Sequence, residues 1–195
     1  MRLGLASLLF TAVAIPSVAS AGFVTVGLHA GSLQSEADAT NKNDAQSEVG
    51  VFGRFALAER FSLQIDIAEI SMRDEANLSL TSFTASGVLD LTQGSQFVPV
   101  FLVGLGIDHA SSDDYDAEAT RSEVGLGLEY RAKNGFLVGL DARLGSRKID
   151  TEEWKNYAVA TPYLGDDTGS GAQNQPQVLS PGQYRSARLY VGLRF

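Results

Sequence analysis

Glu123-Val124-Gly125-Leu126-Gly127-Leu128-Glu129-Tyr130-Arg131 decides the fold. Val124, Leu126, Leu128 and Tyr130 fall on one parity, and Glu123, Gly125, Gly127, Glu129 and Arg131 on the other. A period of two is that of a β-strand, whose successive side chains leave opposite faces. The second face carries more information than the first, because it mixes glycine with full charges. An eight-stranded barrel has an interior only just wide enough for side chains, and glycines there make room for long Arg and Glu side chains to pack and pair. The charged face is therefore read as the inside of a small closed barrel, and the apolar face as a wall against lipid. The alternative is a soluble barrel with an apolar interior and these charges solvated on its outside.

The pattern repeats outward from this stretch. Phe136, Val138, Leu140, Ala142 and Leu144 oppose Leu137, Gly139, Asp141 and Arg143, and at the carboxyl end Leu189, Val191, Leu193 and Phe195 oppose Arg188, Tyr190, Gly192 and Arg194. Eight alternating segments follow one another: Phe23–Leu33, Glu48–Ala58, Phe61–Met72, Leu78–Leu91, Phe97–His109, Arg121–Arg131, Phe136–Arg147 and Gly182–Phe195. The second, fourth and sixth connections are short, around Glu59-Arg60, Thr92–Ser95 and Ala132–Gly135. The others are longer or acidic, apart from the brief Arg73–Asn77. Short turns on one side and longer loops on the other are the asymmetry of bacterial outer-membrane barrels.

These features predict an all-β chain forming a closed eight-stranded antiparallel transmembrane β-barrel over residues 22–195, preceded by a cleavable signal peptide over residues 1–21. Arg2, the apolar run Leu3–Ile15, Pro16 and the small residues Ser17–Ala21 carry the second expectation. That run is too short for a spanning helix, and no later stretch supplies one. The chain has no cysteine, so no disulfide framework holds the exported domain. A formal net charge of −8 excludes nucleic acid as a partner, since phosphate binding needs a surplus of cations on one face. The acid gathers in three expected loops: Glu36, Asp38 and Asp44; Asp113, Asp114, Asp116 and Glu118; and Asp150, Glu152, Glu153, Asp166 and Asp167.

Assigning faces by parity places Arg54, Asp66, Asp108, Glu123, Glu129, Arg131, Asp141, Arg143, Arg188 and Arg194 in the lumen. Cations and carboxylates balance in that set, and the balance matters because a buried charge without a partner is costly. The lumen is expected to be plugged by its own ion pairs, with Glu129 coupled to Arg143. Phe23, Phe61, Phe97, Tyr130, Phe136 and Phe195 are expected to form an aromatic girdle at the short-turn rim. Pro99 is tolerable only near a strand start, where it falls. In the fourth segment Leu78 and Leu80 share one parity while Phe83, Leu89 and Leu91 share the other, which predicts a bulge or a shifted register.

Together the leader, the eight segments, FVPVFLVGLGID at Phe97–Asp108, EVGLGLEYR at Glu123–Arg131 and RLYVGLRF at Arg188–Phe195 resemble the eight-stranded outer-membrane barrel superfamily. That superfamily includes the OmpA membrane domain and opacity-type surface proteins. The resemblance implies an outer-membrane location and assembly by the outer-membrane insertion machinery through the last strand, with Leu189, Val191, Leu193 and Phe195 as the assembly signal. Tyr190 departs from the glycine often found there. No further domain is expected after Phe195, so the anchoring role of longer relatives is not implied.

Chemistry-bearing groupings are few. His109 and Ser111, with Glu123, are the residue types of a hydrolytic triad and resemble those of outer-membrane lipid A deacylases. Parity, however, sends His109 outward and Glu123 inward. His29, on the polar face, is expected as a hydrogen-bonded lumen residue rather than a metal ligand. The run Asp113-Asp114-Tyr115-Asp116 lacks the glycine and terminal glutamate of a calcium loop. Gly104-Leu105-Gly106 and Gly125-Leu126-Gly127 lie inside strands, with no helix to follow them as a dinucleotide loop requires. The segment 149–181 carries Trp154, Tyr157 and Tyr163 and is the candidate recognition loop. No cofactor, metal or catalytic residue is assigned. The expected role is a non-enzymatic contribution to envelope integrity or surface interaction through acidic loops, in contact with lipopolysaccharide and an external ligand of unknown identity. A narrow small-solute channel is the alternative, and a lipid A-modifying hydrolase a third reading.

Overall fold

Each alternating segment forms a strand. The computed structural model describes residues 23–35, 46–71, 79–111, 115–154 and 182–195. The strands are β1 (Val24–Ser35), β2 (Gln46–Ala56), β3 (Phe61–Ser71), β4 (Ser79–Asp90), β5 (Phe97–Ser111), β6 (Tyr115–Arg131), β7 (Phe136–Trp154) and β8 (Gly182–Arg194). Every neighbour in sequence is an antiparallel neighbour in space, and β8 returns to β1 to close the barrel. Closure leaves no edge strand, which matters in hydrocarbon because no water is present to satisfy an unpaired backbone group.

The seam is stitched from Thr25 opposite Arg194 to Ser35 opposite Tyr184, and the Phe195 amide donates to the Val24 carbonyl at 2.8 Å. At the same end lie the three short turns. Gly94 (φ 74°) and Gly135 (φ 87°) adopt left-handed backbone in two of them, a conformation that costs glycine little. The Gly135 amide donates to the Ala132 carbonyl, and the Phe136 amide to Asn134 Oδ1, so the last turn satisfies its own polar groups. Phe23, Phe61, Phe97, Tyr130, Phe136 and Phe195 are all exposed on this rim, with Phe97 and Tyr130 ring centroids 5.1 Å apart.

The faces sort as in an inside-out protein. Leu126 is 61% exposed and Leu144 66%, whereas Arg121 and Glu129 are fully enclosed. Such a surface is stable against hydrocarbon and not against water, so the strands span a membrane.

Two expectations about the strands are corrected. The fourth segment needs no bulge: β4 pairs in unbroken register from Phe61 opposite Leu89 to Ser71 opposite Ser79, and likewise with β5. Leu80 points inward because the loop-side end of the lumen is apolar. There it joins Leu33, Ile70, Ala110, Ala117, Ala119 and Tyr184. The irregularity falls instead between β6 and β7, at Glu118/Ala119. The second correction concerns length, for β6 begins at Tyr115 and β7 runs on to Trp154. Asp116, Glu118, Asp150, Glu152 and Glu153, expected in loops, therefore belong to strands. Beyond the hydrocarbon zone an outward position no longer has to be apolar, so the strand continues where the hydrophobic pattern stops.

The leader over residues 1–21, the acidic residues 36–44 and the run 112–114 lie outside the described residues. So do Tyr157 and Tyr163, while Trp154 closes β7.

Candidate functional site

The lumen is lined by inward positions of all eight strands, and its charges form connected groups. At the turn-side mouth Arg131, from the end of β6, grips Asp90 of β4 with Nη1 and Nη2 at 2.5 and 2.8 Å. Arg131 also donates to Glu129 Oε2. Glu129 Oε1 accepts from Arg54 Nη1 at 2.5 Å and from the Tyr190 hydroxyl at 2.9 Å. Arg54 Nε then donates to Gln64, whose amide donates to Asp66. A guanidinium fork meeting carboxylates in this way is the strong form of a buried ion pair, because its several donors are satisfied at once.

A second connected group lies deeper. Arg143 donates from Nε and Nη2 to Asp141 at 2.9 and 3.0 Å, and from Nη1 to Glu123 Oε1 at 2.5 Å. Glu123 Oε2 accepts from Arg121 and from the Tyr184 hydroxyl. Arg121 reaches Ser82 and Asp108, and Arg147 Nε bonds the other oxygen of Asp108 at 2.6 Å. The Tyr184 ring lies under both Arg121 and Arg147, at 4.9 and 5.6 Å from the guanidinium carbons, adding cation–π attraction.

Arg188 of β8 pairs with Glu48 at 2.8 Å and faces Asp66 at 3.6 Å. His29 stands beside the same two carboxylates, 4.0 Å from Glu48 and 3.7 Å from Asp66. Neither ring nitrogen of His29 has a hydrogen-bond partner among the described residues, nor do Arg188 Nε and Nη1. The central level thus sets one guanidinium and a histidine against two carboxylates, and several of its polar atoms lack a hydrogen-bond partner among the described residues.

Glycines opposite the large side chains create the space. A Cβ on Gly139 would fall within the Tyr190 ring that crosses it from β8, and one on Gly145 within the ring of Tyr184. Removing a methyl group on one strand is what admits a phenol from the next.

Of the expected lumen residues, Arg54, Asp66, Asp108, Glu123, Glu129, Asp141, Arg143 and Arg188 are buried inside, and Arg131 is half-buried at the mouth. Arg194 is a correction: its parity is inward, but it is exposed at the turn-side rim, where β8 ends and the wall no longer encloses it. The expected Glu129–Arg143 contact is also corrected, because Glu129 is taken by Arg54, Arg131 and Tyr190 and Arg143 by Asp141 and Glu123.

Glu48, Asp90, Arg121, Arg147 and Tyr184 join the network unanticipated. Their inward parity was the available signal, but they sit at the ends of alternating segments, where the apolar partner face fades. Apolar groups contribute too. Val88, Val98, Val100 and Leu102 cluster on the β4–β5 side, and Phe52, Leu137 and Tyr190 on the other.

No triad forms. His109 and Ser111 leave the outer face of β5 opposite Glu118 and Asp116, while Glu123 is enclosed with both oxygens bonded to cations and Tyr184. Leu189, Val191, Leu193 and Phe195, expected as an assembly signal, all point outward and are exposed. Below the network, the turns frame a cup of about 770 Å³, with Glu59, Asp90, Arg131, Lys133 and Arg194 among its lining.

No protein-family model matches the chain, and no curated protein sequence matches it. Solved structures do. Neisserial surface protein A superimposes with a TM-score of 0.63 at 13% identity, over 90% of this chain and 99% of that one. The N-terminal β-barrel domain of Pseudomonas aeruginosa OprF gives 0.49 at 19% identity, over 90% and 100%. Ail, the attachment invasion locus protein of Yersinia pestis, gives 0.44 at 13%, over 88% and 96%. The fold is that of the eight-stranded outer-membrane barrels.

Proposed function

We propose that the chain is an integral, non-enzymatic outer-membrane barrel that contributes to envelope integrity and presents an acidic outer face to its surroundings. One observation carries this reading: the lumen is occupied across its section by arginine–carboxylate pairs and closed at the loop side by the Leu33–Ile70–Leu80 cluster. A barrel filled in this way is a rigid post rather than a conduit.

What remains for interaction is the outside. The extended ends of β6 and β7 lift Glu118 and Asp150 beyond the apolar zone, and the Asp150 carboxylate is tied to Thr120 across the two strands. Acid at that level suits divalent ions and the phosphates of lipopolysaccharide that those ions bridge. Trp154, Tyr157 and Tyr163 are proposed as recognition residues for an external ligand. Assembly is proposed to proceed through the outer-membrane insertion machinery, with Leu189, Val191, Leu193 and Phe195 presented on the last strand.

A narrow small-solute channel is the second reading. The unmatched polar atoms of His29, Glu48, Arg188, Ser86 and Ser186 at the central level favour it. Planar-bilayer recording separates the two. The plugged barrel gives no reproducible unitary conductance, whereas steps that change when Glu123 or Arg188 is altered would overturn the first reading in favour of the second.

A further inference from the structure

The lipid-facing wall carries an indentation with a chemistry of its own. Five outward side chains stand in a single register row across five strands: Phe101 opposite Leu126, Leu126 opposite Ala142, Ala142 opposite Ala187, and Ala187 opposite Ser32. Small residues thus follow one another at Ala142, Ala187 and Ser32. The row on the turn side carries Leu128, Leu140 and Leu189, and the row on the loop side Val124 and Leu144. Phe101, Val124, Leu126 and Leu144 stand around the small Ala142, Ala187 and Ser32 and line a mostly apolar trough of about 690 Å³. Because strands tilt about 35–45° in such barrels, a row running across them climbs the wall obliquely, as a lipid chain leaving the headgroup zone does.

The trough also has a charged end. The loop-side row continues from Leu144 to Arg185 and Gln34. Arg185 is exposed, and its Nε and Nη2 both donate to Gln34 Oε1, at 3.0 and 2.8 Å. Gln34 holds the guanidinium in one orientation without neutralising it, and Nη1 is left to bind an oxyanion. Among the described residues, the hydrogen bonds of Arg185 go to Gln34 and not to a carboxylate. An oriented arginine where apolar wall gives way to polar surface is complementary to a phosphate group.

We propose that this groove binds an acylated, phosphorylated glycolipid of the loop-side leaflet, one acyl chain lying over Ala142, Ala187 and Ser32 and a phosphate resting on Arg185. The proposal rests on the outer-membrane reading above and gives that reading a lipid of defined chemistry. It differs from general wetting of the wall by lipid, which needs no indentation and no aligned cation.

The full chain is folded into phosphatidylcholine vesicles containing lipid A in its phosphorylated or its dephosphorylated form, then transferred to detergent. Native mass spectrometry counts the lipid retained. Wild type is expected to retain phosphorylated lipid A several-fold over the dephosphorylated form. Ala187→Phe fills the trough and lowers retention of both forms, whereas Arg185→Gln keeps retention of the dephosphorylated form and lowers that of the phosphorylated form to match it. Thr81→Phe, on the outer face of β4 away from the trough, leaves both unchanged. Equal retention by wild type and Ala187→Phe would overturn the groove, and an undiminished phosphate preference in Arg185→Gln would overturn the headgroup assignment. Insertion is read separately by heat-sensitive gel mobility. A barrel that inserts but shows no selective retention refutes this inference alone, whereas one that fails to insert refutes the outer-membrane reading beneath it.

Discussion

Replacing Glu123 by Gln removes one charge from the point where two lumen arginines and a tyrosine meet, while keeping its shape. Glu123 Oε1 holds Arg143 Nη1 at 2.5 Å, and Oε2 holds Arg121 Nη2 at 2.6 Å and the Tyr184 hydroxyl at 2.9 Å. Removing one partner of a buried ion pair typically costs about 3–5 kcal/mol, because the other charge stays buried without compensation. Both arginines keep a second carboxylate here. Arg143 retains Asp141 at 2.9 Å, and Arg121 retains Asp108 at the longer distance of 3.3 Å. The expected loss is therefore at the lower end, about 3 kcal/mol. Combining Glu123→Gln with Arg143→Met removes the orphaned charge along with its partner, so the double variant should be more stable than the sum of the singles by about 2 kcal/mol. Urea unfolding in phospholipid vesicles, followed by loss of the compact gel form, measures each term. The same cycle on Glu129 and Arg143, which share no hydrogen-bond partner, should show much weaker coupling. Unaltered stability of Glu123→Gln, or additivity of the Glu123–Arg143 pair, would refute the network argument.

Three further outcomes follow from the same geometry. Leu140→Arg puts a cation into hydrocarbon from a residue 57% exposed on the outer wall, and should destabilise the barrel by about 2–4 kcal/mol in vesicles; equal stability would contradict the lipid-facing assignment. Gly139→Ala drives a methyl group into the Tyr190 ring and should cost about 1–3 kcal/mol, a penalty absent when the same change is made in a Tyr190→Ala background. Urea midpoints that fall equally in both backgrounds would show that the two residues do not compete for space. His29→Leu removes two ring nitrogens that have no hydrogen-bond partner among the described residues, so it should change stability by less than about 1 kcal/mol or raise it. A loss as large as that of Glu123→Gln would mean that the histidine is a working member of the central charge group.

The alternation in Glu123–Arg131 and its repeats carried the strand count, the closed antiparallel order and the direction of each face, because all of these follow from a local period of two and from where turns interrupt it. Even Arg121 and Arg147, left out of the expected lumen set, obey that parity. Their inclusion depended on how far β6 and β7 continue, and hydrophobicity stops marking a strand once its outer face leaves hydrocarbon. Leu80 misled for the complementary reason. Parity correctly separates it from Phe83, but an apolar residue facing inward looks like a shifted register until the lumen is seen to have an apolar end.

Which cation meets which carboxylate belongs to the tertiary structure alone. Arg54 and Glu129 are separated by 75 positions, and Arg131 and Asp90 by 41. Their meeting is set by the tilt and stagger at which eight strands close on themselves, and by glycines such as Gly139 that let a tyrosine cross from the next strand. The sequence by itself determined which side chains face inward, since that is a property of each strand alone. Partnership inside the barrel is a property of the closed ring, and no single strand contains it.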